Sequence, residues 1–239
     1  MMQTAVLATL FGAIGGSAAY AGAWLGYLDE RGGGSLSGEA KRGITAFGGG
    51  ALIGAVGLVL VPHGIETQPL WLGAASFVLG GLAFLLLDKW LHSTGTPVSQ
   101  LVALNLDFIP EAIVVGAVIG SNLPMAIFLT VILVAQNLPE GFGAYVEVRK
   151  AHEGFVRHHI LRIMALAIVI GPVAALLGYS FFAMQSTVLG TIMTFCAGGI
   201  IYLVFDDVAP EAHGNGEWAP AFGAVVGFAV ALIGFGLTG

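Results

Sequence analysis

Residues 104–148 read LNLDFIPEAIVVGAVIGSNLPMAIFLTVILVAQNLPEGFGAYVEV. The stretch contains two apolar runs joined by a short polar turn, and each run is long enough to cross the roughly 30 Å hydrocarbon core of a bilayer. Each run also contains a proline followed at once by a glutamate, Pro110 with Glu111 and Pro139 with Glu140. A carboxylate at the centre of a membrane helix costs about 2.5–3.5 kcal/mol on insertion scales, so it normally faces a partner or a polar path. This stretch therefore predicts a hairpin of two membrane helices with a polar site inside it.

The rest of the chain has the same apolar character. Of its 239 residues, 57% are hydrophobic and only 9% are charged, whereas a soluble domain has roughly a quarter charged residues. The eight Lys and Arg residues are too few for the basic face of a nucleic-acid-binding protein. The single cysteine excludes an internal disulfide. The composition predicts an all-α polytopic membrane protein that forms one transmembrane domain, and it excludes a soluble enzyme.

The few charged residues divide the chain into segments of membrane-spanning length. We expect eight spans, at about residues 4–28, 43–65, 70–91, 97–120, 123–147, 158–183, 186–209 and 218–238. All basic residues lie in or beside the loops after spans 1, 3 and 5. Because basic loops stay in the cytoplasm, this distribution predicts that both termini are extracytoplasmic.

The hairpin of spans 4 and 5 predicts a cation site. Asp107 and Glu111 are four residues apart on span 4, and Gln136 and Glu140 have the same separation on span 5, next to Asn137. An antiparallel hairpin places Glu111 level with Gln136 and Asp107 level with Glu140. Each proline also frees one backbone carbonyl at membrane depth. Carboxylates this close together in a low dielectric require protons or a cation, so a divalent cation site is the expectation.

Two motifs resemble one family of membrane transporters. Residues 107–111, DFIPE, on span 4 and residues 136–141, QNLPEG, on span 5 look like the signature motifs on helices 4 and 5 of the ZIP (Zrt- and Irt-like) family of divalent metal transporters. The resemblance implies a ZIP-like bundle of eight helices with both termini outside. It implies that Asp107, Glu111, Gln136 and Glu140 bind the transported ion, with Asn137 at the margin of the site.

The sequence also departs from this family. The family usually has His and Asn where this chain has Asp107 and Phe108, and an acidic residue at the position of Gly171. A second, adjacent metal position is therefore not expected. The remaining ligands are nearly all oxygen atoms, which suit harder ions, so Mn²⁺ and Fe²⁺ are weighed equally with Zn²⁺.

Further polar residues lie near the ends of the spans. His63 closes span 2 at the outer face, where it either collects ions or is simply solvated. Near the inner end of span 7, three acidic residues either form an exit for ions or are ordinary interfacial acids: Asp206, Asp207 and Glu211.

The resemblance implies a transporter and not an enzyme. Its substrate is a divalent metal ion (Zn, Mn or Fe), it has no resident cofactor, and it works by alternating access, in which helices 1, 4, 5 and 6 move against the rest, often within a homodimer. The expected partners are the metal ion and the lipid bilayer, with no nucleic acid. The expected location is a bacterial or archaeal cell membrane, with an organellar membrane as the alternative. Two other functions stay open, an intramembrane metal-dependent hydrolase and a non-transporting membrane sensor or scaffold.

Overall fold

The computed structural model describes residues 2–94, 97–151, 154, 156–182, 186–214 and 216–238, apart from a few side chains within these ranges, that of Asp107 among them. The described chain is helical and has no strand. Its helices are α1 (Met2–Arg31), α2 (Gly38–Glu66), α3 (Leu70–Thr94), α4 (Pro97–Val118), α5 (Leu123–Ala151), α6 (Arg157–Phe181), α7 (Ser186–Ala212) and α8 (Ala219–Thr238).

The helices have the length and composition of membrane-spanning segments. Seven of them, all except α4, are long and apolar enough to cross a bilayer, and α4 contributes the shorter apolar segment Phe108–Val118. The prediction of an all-α polytopic membrane protein is therefore confirmed. Pro110 and Pro139 both lie inside helices, α4 and α5 respectively.

The connection between α1 and α2 is shorter than the gap between the first two expected spans, 4–28 and 43–65. Helix α1 continues to Arg31, and α2 begins at Gly38. The side chain of Asp29 accepts hydrogen bonds from the amide of Leu36 (3.0 Å) and the hydroxyl of Ser35 (3.2 Å), which folds the connection back onto the end of α1. Ser37 caps α2 by accepting a hydrogen bond from the amide of Ala40.

One group of helices consists of α1, α4, α5 and α6, and glycines bring their backbones into direct contact. A Cβ atom at Gly12 of α1 would overlap the carbonyl oxygen of Gly171 on α6. A Cβ at Gly22 of α1 would overlap the carbonyl of Leu138 on α5. Small residues at such positions allow membrane helices to approach closely. The four helices therefore form one tightly packed unit, called the first group below.

The second group consists of α2, α3, α7 and α8. A Cβ at Gly50 of α2 would overlap the carbonyl of Ala224 on α8, and Gly198 of α7 has the same relation to Phe77 on α3. Between the two groups, by contrast, α2 meets α5 through a side chain, since a Cβ at Gly48 would lie 3.3 Å from the Cβ of Pro139. At these glycines, the closest backbone contacts thus lie within the groups.

Candidate metal-ion site

Glu111 of α4 and Gln136 of α5 meet inside the bundle. The amide Nε2 of Gln136 donates a hydrogen bond of 2.5 Å to Oε2 of Glu111. Gln136 is only 2% exposed. The antiparallel hairpin of α4 and α5 brings these two residues to the same level, as the sequence predicts.

Both side chains line a cavity between the two helix groups. The cavity has a volume of about 20 Å³, and α2, α4, α5 and α7 all contribute to its wall. Apart from Glu111 and Gln136, the wall consists of aliphatic side chains, such as Leu60 and Val115, and of Cys196 on α7. The cavity is therefore a small, mainly apolar space with a polar pair in its wall, large enough for about one water molecule or ion.

The carboxylate and the amide of this pair retain unused acceptor atoms. An ionised carboxylate only accepts hydrogen bonds, so Gln136 must present Nε2 to Glu111, and its carbonyl Oε1 remains an acceptor. Neither Oε1 of Gln136 nor Oε1 of Glu111 forms a hydrogen bond with another residue of the described chain. A negative charge in an apolar chamber is costly unless a proton or a cation balances it. The pair is therefore chemically suited to bind a cation.

The other residues of the predicted site have different surroundings. Asn137 is buried and faces α1, where its Nδ2 donates a hydrogen bond to the carbonyl of Gly15 (3.1 Å). Glu140 is half-buried, one helical turn after Gln136. Asp107 lies on α4, but its side chain is outside the described residues. The structure thus joins Glu111 and Gln136 directly and gives Asn137 a contact that holds α5 to α1.

Phe108 occupies the space next to this site. Its ring is 2% exposed. A Cβ at Gly171 of α6 would lie 2.8 Å from this ring, and a Cβ at Gly15 of α1 would lie 3.0 Å from it. The ring therefore fills the space between α1, α4 and α6. An aromatic ring stands where the family resemblance would place the asparagine of a second metal position.

The polar residues near the helix ends are dispersed. The Nδ1 of His63 donates a hydrogen bond to the carbonyl of Val59 (3.2 Å), which leaves Nε2 available to bind a proton or a metal ion. Asp206 accepts a hydrogen bond from Tyr202 (3.0 Å). Asp207 is exposed. A fourth residue, Glu211, lies beside Glu147 of α5. Across the residues that the structure describes, no group of three or more His, Cys, Asp and Glu side chains is placed to hold a metal ion.

Ion pairs gather at one end of the bundle. Glu30 at the end of α1 accepts hydrogen bonds from Arg149 of α5 (2.9 Å), Arg157 of α6 (3.0 Å) and Tyr145 of α5 (2.5 Å). These contacts tie together three helices of the first group. Two further ion pairs tie α1 to α2, and tie α2 to the segment just before α8: Asp29 with Lys41, and Arg42 with Glu217.

The sequence could not have identified Cys196 as part of this cavity. It is a single cysteine in an apolar helix, and nothing in the pattern of α7 indicates that it faces Glu111. Phe108 and Gly171, by contrast, could be noticed because they replace polar residues of the resembled motif. No protein-family model matches the chain, and no curated protein matches it. The assignment of a function therefore rests on the motifs and on the geometry described above.

Proposed function

We propose that this protein transports divalent metal ions across a membrane and that the ion binds in the cavity at Glu111 and Gln136. The observation that carries the proposal is the pair formed by the half-buried Glu111 carboxylate and the buried Gln136 amide in a mainly apolar cavity between two helix groups. Such a pair offers oxygen ligands to a cation where water is scarce. The binding site of a secondary transporter usually lies at such a mid-membrane position.

The resemblance to the ZIP family supports the proposal and extends it. The QNLPEG and DFIPE motifs supply both members of the pair. We assign Asp107 and Glu140 as further ligands, with Asn137 at the margin. Because the ring of Phe108 fills the neighbouring space, the proposal includes one metal position and not two. Zn²⁺, Mn²⁺ and Fe²⁺ are the candidate substrates, since the ligands are nearly all oxygen atoms.

The grouping of the helices supports alternating access. The resemblance implies that helices 1, 4, 5 and 6 move against the others, and these are the helices of the first group. At Gly12 and Gly22 their backbones are in direct contact with one another, whereas at Gly48 the nearest atom across the two groups is the side-chain Cβ of Pro139. Because the cavity lies between the groups, a relative movement would change the wall around the ion. The ion would then face one side of the membrane at a time.

The topology of the proposal follows the charge distribution. The ion pairs around Glu30 and Arg42 bring the ends of α1 and α5 and the starts of α2, α6 and α8 to one end of the bundle. We assign this end to the cytoplasm because it carries most of the basic residues. With eight spans, both termini are then extracytoplasmic. His63 lies at the opposite end and would meet ions from outside. We place Asp206, Asp207 and Glu211 on the cytoplasmic exit path.

Uptake of radioactive or fluorescently detected Mn²⁺ and Zn²⁺ into proteoliposomes tests the proposal. Glu111→Gln keeps the shape of the side chain and removes its charge. Loss of a residue that only hydrogen-bonds to a metal ligand typically lowers activity about 10–100-fold. Because Glu111 is proposed to bind the ion itself, we expect the uptake rate of this variant to fall by more than that. Glu39→Gln is the matched control, because Glu39 lies in the first turn of α2 and is remote from the cavity. Uptake by Glu111→Gln at the wild-type rate would contradict the proposal. Metal binding by the wild type without any uptake would favour the sensor or scaffold.

A further inference from the structure

Arg162 is a charged residue on the outer surface of a membrane-spanning helix. It lies in the second turn of α6, and its side chain is exposed. Two other arginines at this end of the bundle, Arg149 and Arg157, pair with Glu30, but Arg162 forms no hydrogen bond or ion pair within the described part of the chain. An unpaired charge on a membrane-spanning helix is costly, so Arg162 requires a counter-charge from outside the protein.

The depth of Arg162 corresponds to the headgroup layer of a bilayer. Arg157 begins α6 and pairs with Glu30, and Arg162 is five residues further along the helix. Five residues at about 1.5 Å each give roughly 7–8 Å of helix. The headgroup layer of one leaflet is about 5–8 Å thick. A long arginine side chain at this depth extends its guanidinium toward water, and the anions that it meets there are lipid phosphates.

The aromatic rings of α1 indicate the same depth independently. The ring centroids of Tyr27 on α1 and His158 on α6 are 6.4 Å apart, and the two helices run antiparallel. Arg162 lies one helical turn after His158, and Trp24 lies one turn before Tyr27, so Arg162 and Trp24 are at one level. Trp24 is exposed, and its ring centroid is 5.3 Å from that of Tyr27. Tryptophan and tyrosine are enriched where a membrane meets water.

We propose that the surface between α1 and α6 formed by Trp24, Tyr27, His158 and Arg162 binds the headgroup of an anionic phospholipid. The guanidinium of Arg162 is a planar fork of donors that matches two oxygens of a phosphate group. A ring nitrogen of His158 supplies a further donor. The rings of Trp24 and Tyr27 offer an apolar surface to the first carbons of the acyl chains. The proposal requires only that the helices span a bilayer, so it does not depend on metal transport.

The charge around this surface favours an anionic lipid over a zwitterionic one. Arg31 at the end of α1 and Lys150 near the end of α5 are exposed, and neither forms an ion pair within the residues that the structure describes. A zwitterionic headgroup such as that of phosphatidylcholine carries its own cation, which these side chains repel. Phosphatidylglycerol carries the phosphate without a cation, so it is attracted by all of them.

Quenching of Trp24 fluorescence by brominated lipids tests the proposal. The other three tryptophans are exposed and can be replaced by phenylalanine, which leaves Trp24 as the single fluorophore: Trp71, Trp90 and Trp218. This protein is reconstituted in vesicles of equal parts phosphatidylcholine and phosphatidylglycerol, with bromine on the acyl chains of one lipid or of the other. We expect phosphatidylglycerol to occupy the surface about fivefold more often, the ratio given by an attraction of about 1 kcal/mol per basic side chain.

Variants of Arg162 identify the source of this preference. Arg162→Gln should remove most of it, and Arg162→Lys, which keeps the charge but not the fork, should keep part of it. Lys89→Gln is the matched control, because Lys89 is also exposed but lies on α3, in the second helix group. This control should keep the full preference.

Four results would overturn the proposal. They are equal quenching by the two brominated lipids before any change at Arg162, an unchanged preference in Arg162→Gln, an equal loss in Lys89→Gln, and loss of the preference when inorganic phosphate is added. The last result would show that the surface binds a soluble anion instead of a lipid.

Discussion

The substitution Gly171→Asp would install the acidic side chain that the ZIP resemblance leads one to expect on α6. Two obstacles surround this position. A Cβ at Gly171 would overlap the carbonyl oxygen of Gly12 on α1, and it would lie 2.8 Å from the ring of Phe108. The first obstacle is backbone and cannot rotate away. The second is a ring that is itself buried. We therefore expect Gly171→Asp to destabilise the protein without creating a second metal position.

The size of the effect follows from these contacts. Extra atoms in a well-packed interior cost about 1–3 kcal/mol, and an unpaired Asp in a membrane helix costs about 2.5–3.5 kcal/mol. The sum is roughly 3.5–6.5 kcal/mol, which is a large part of the 5–15 kcal/mol that stabilises a typical protein. Gly171→Ala introduces only the packing cost of about 1–3 kcal/mol. Gly57→Ala is the matched control, because no atom lies within 4 Å of a Cβ at Gly57.

Thermal unfolding in detergent, followed by tryptophan fluorescence, measures the order of stability. We expect the wild type and Gly57→Ala to be the most stable, Gly171→Ala to be lower, and Gly171→Asp to be the lowest or not to fold. Equilibrium dialysis then counts the bound Mn²⁺ ions in each folded variant. The reasoning is wrong if Gly171→Asp is as stable as the wild type and binds one ion more.

Three other predictions concern the end of the bundle that carries the ion pairs. A cysteine in place of Ser35, in a Cys196→Ser background, should react with an impermeant maleimide only from the cytoplasmic side, and labelling of intact cells from outside would contradict the topology. Glu30→Gln should lower the thermal stability in detergent, because hydrogen bonds to a charged group contribute about 1.5–3 kcal/mol, and an unchanged melting temperature would show that these contacts contribute little. The Arg42 guanidinium holds the pKa of Glu217 below its usual range, so the pair stabilises the fold above the ordinary pKa of about 4.3 and loses this contribution as the pH falls through the lowered pKa. The melting temperature of Glu217→Gln should accordingly fall less steeply in acid than that of the wild type.

The sequence was sufficient to predict the helical membrane fold and the level at which Glu111 meets Gln136. Both follow from local properties, namely the length of the apolar runs and the reflection of an antiparallel hairpin about its turn. The packing of Phe108 against Gly171 could not be predicted, because it depends on how α4 and α6 approach α1. The same holds for Asn137, which bonds to the carbonyl of Gly15. A pattern along one helix does not show which neighbouring helix its polar residues face.

The place of Cys196 illustrates a second limit of the sequence. Its helix, α7, is separated along the chain from α4 by two further helices. Only the arrangement of the two helix groups brings its thiol into the cavity with Glu111. The periodicity of an apolar helix with many small residues does not distinguish the side that faces a cavity from the side that faces lipid.

The glycine contacts of α1 have a consequence for the synthesis of the protein. Gly12 and Gly22 pack against Gly171 and Leu138, which are translated more than a hundred residues later. Because chains emerge from the ribosome at about 5–20 residues per second, α1 enters the bilayer several seconds before its partners exist. During this interval its glycine face meets lipid or the insertion machinery. Folding of the first group can finish only after α6 has been inserted, and a truncated chain that ends before Gly171 should leave α1 without its place in the bundle.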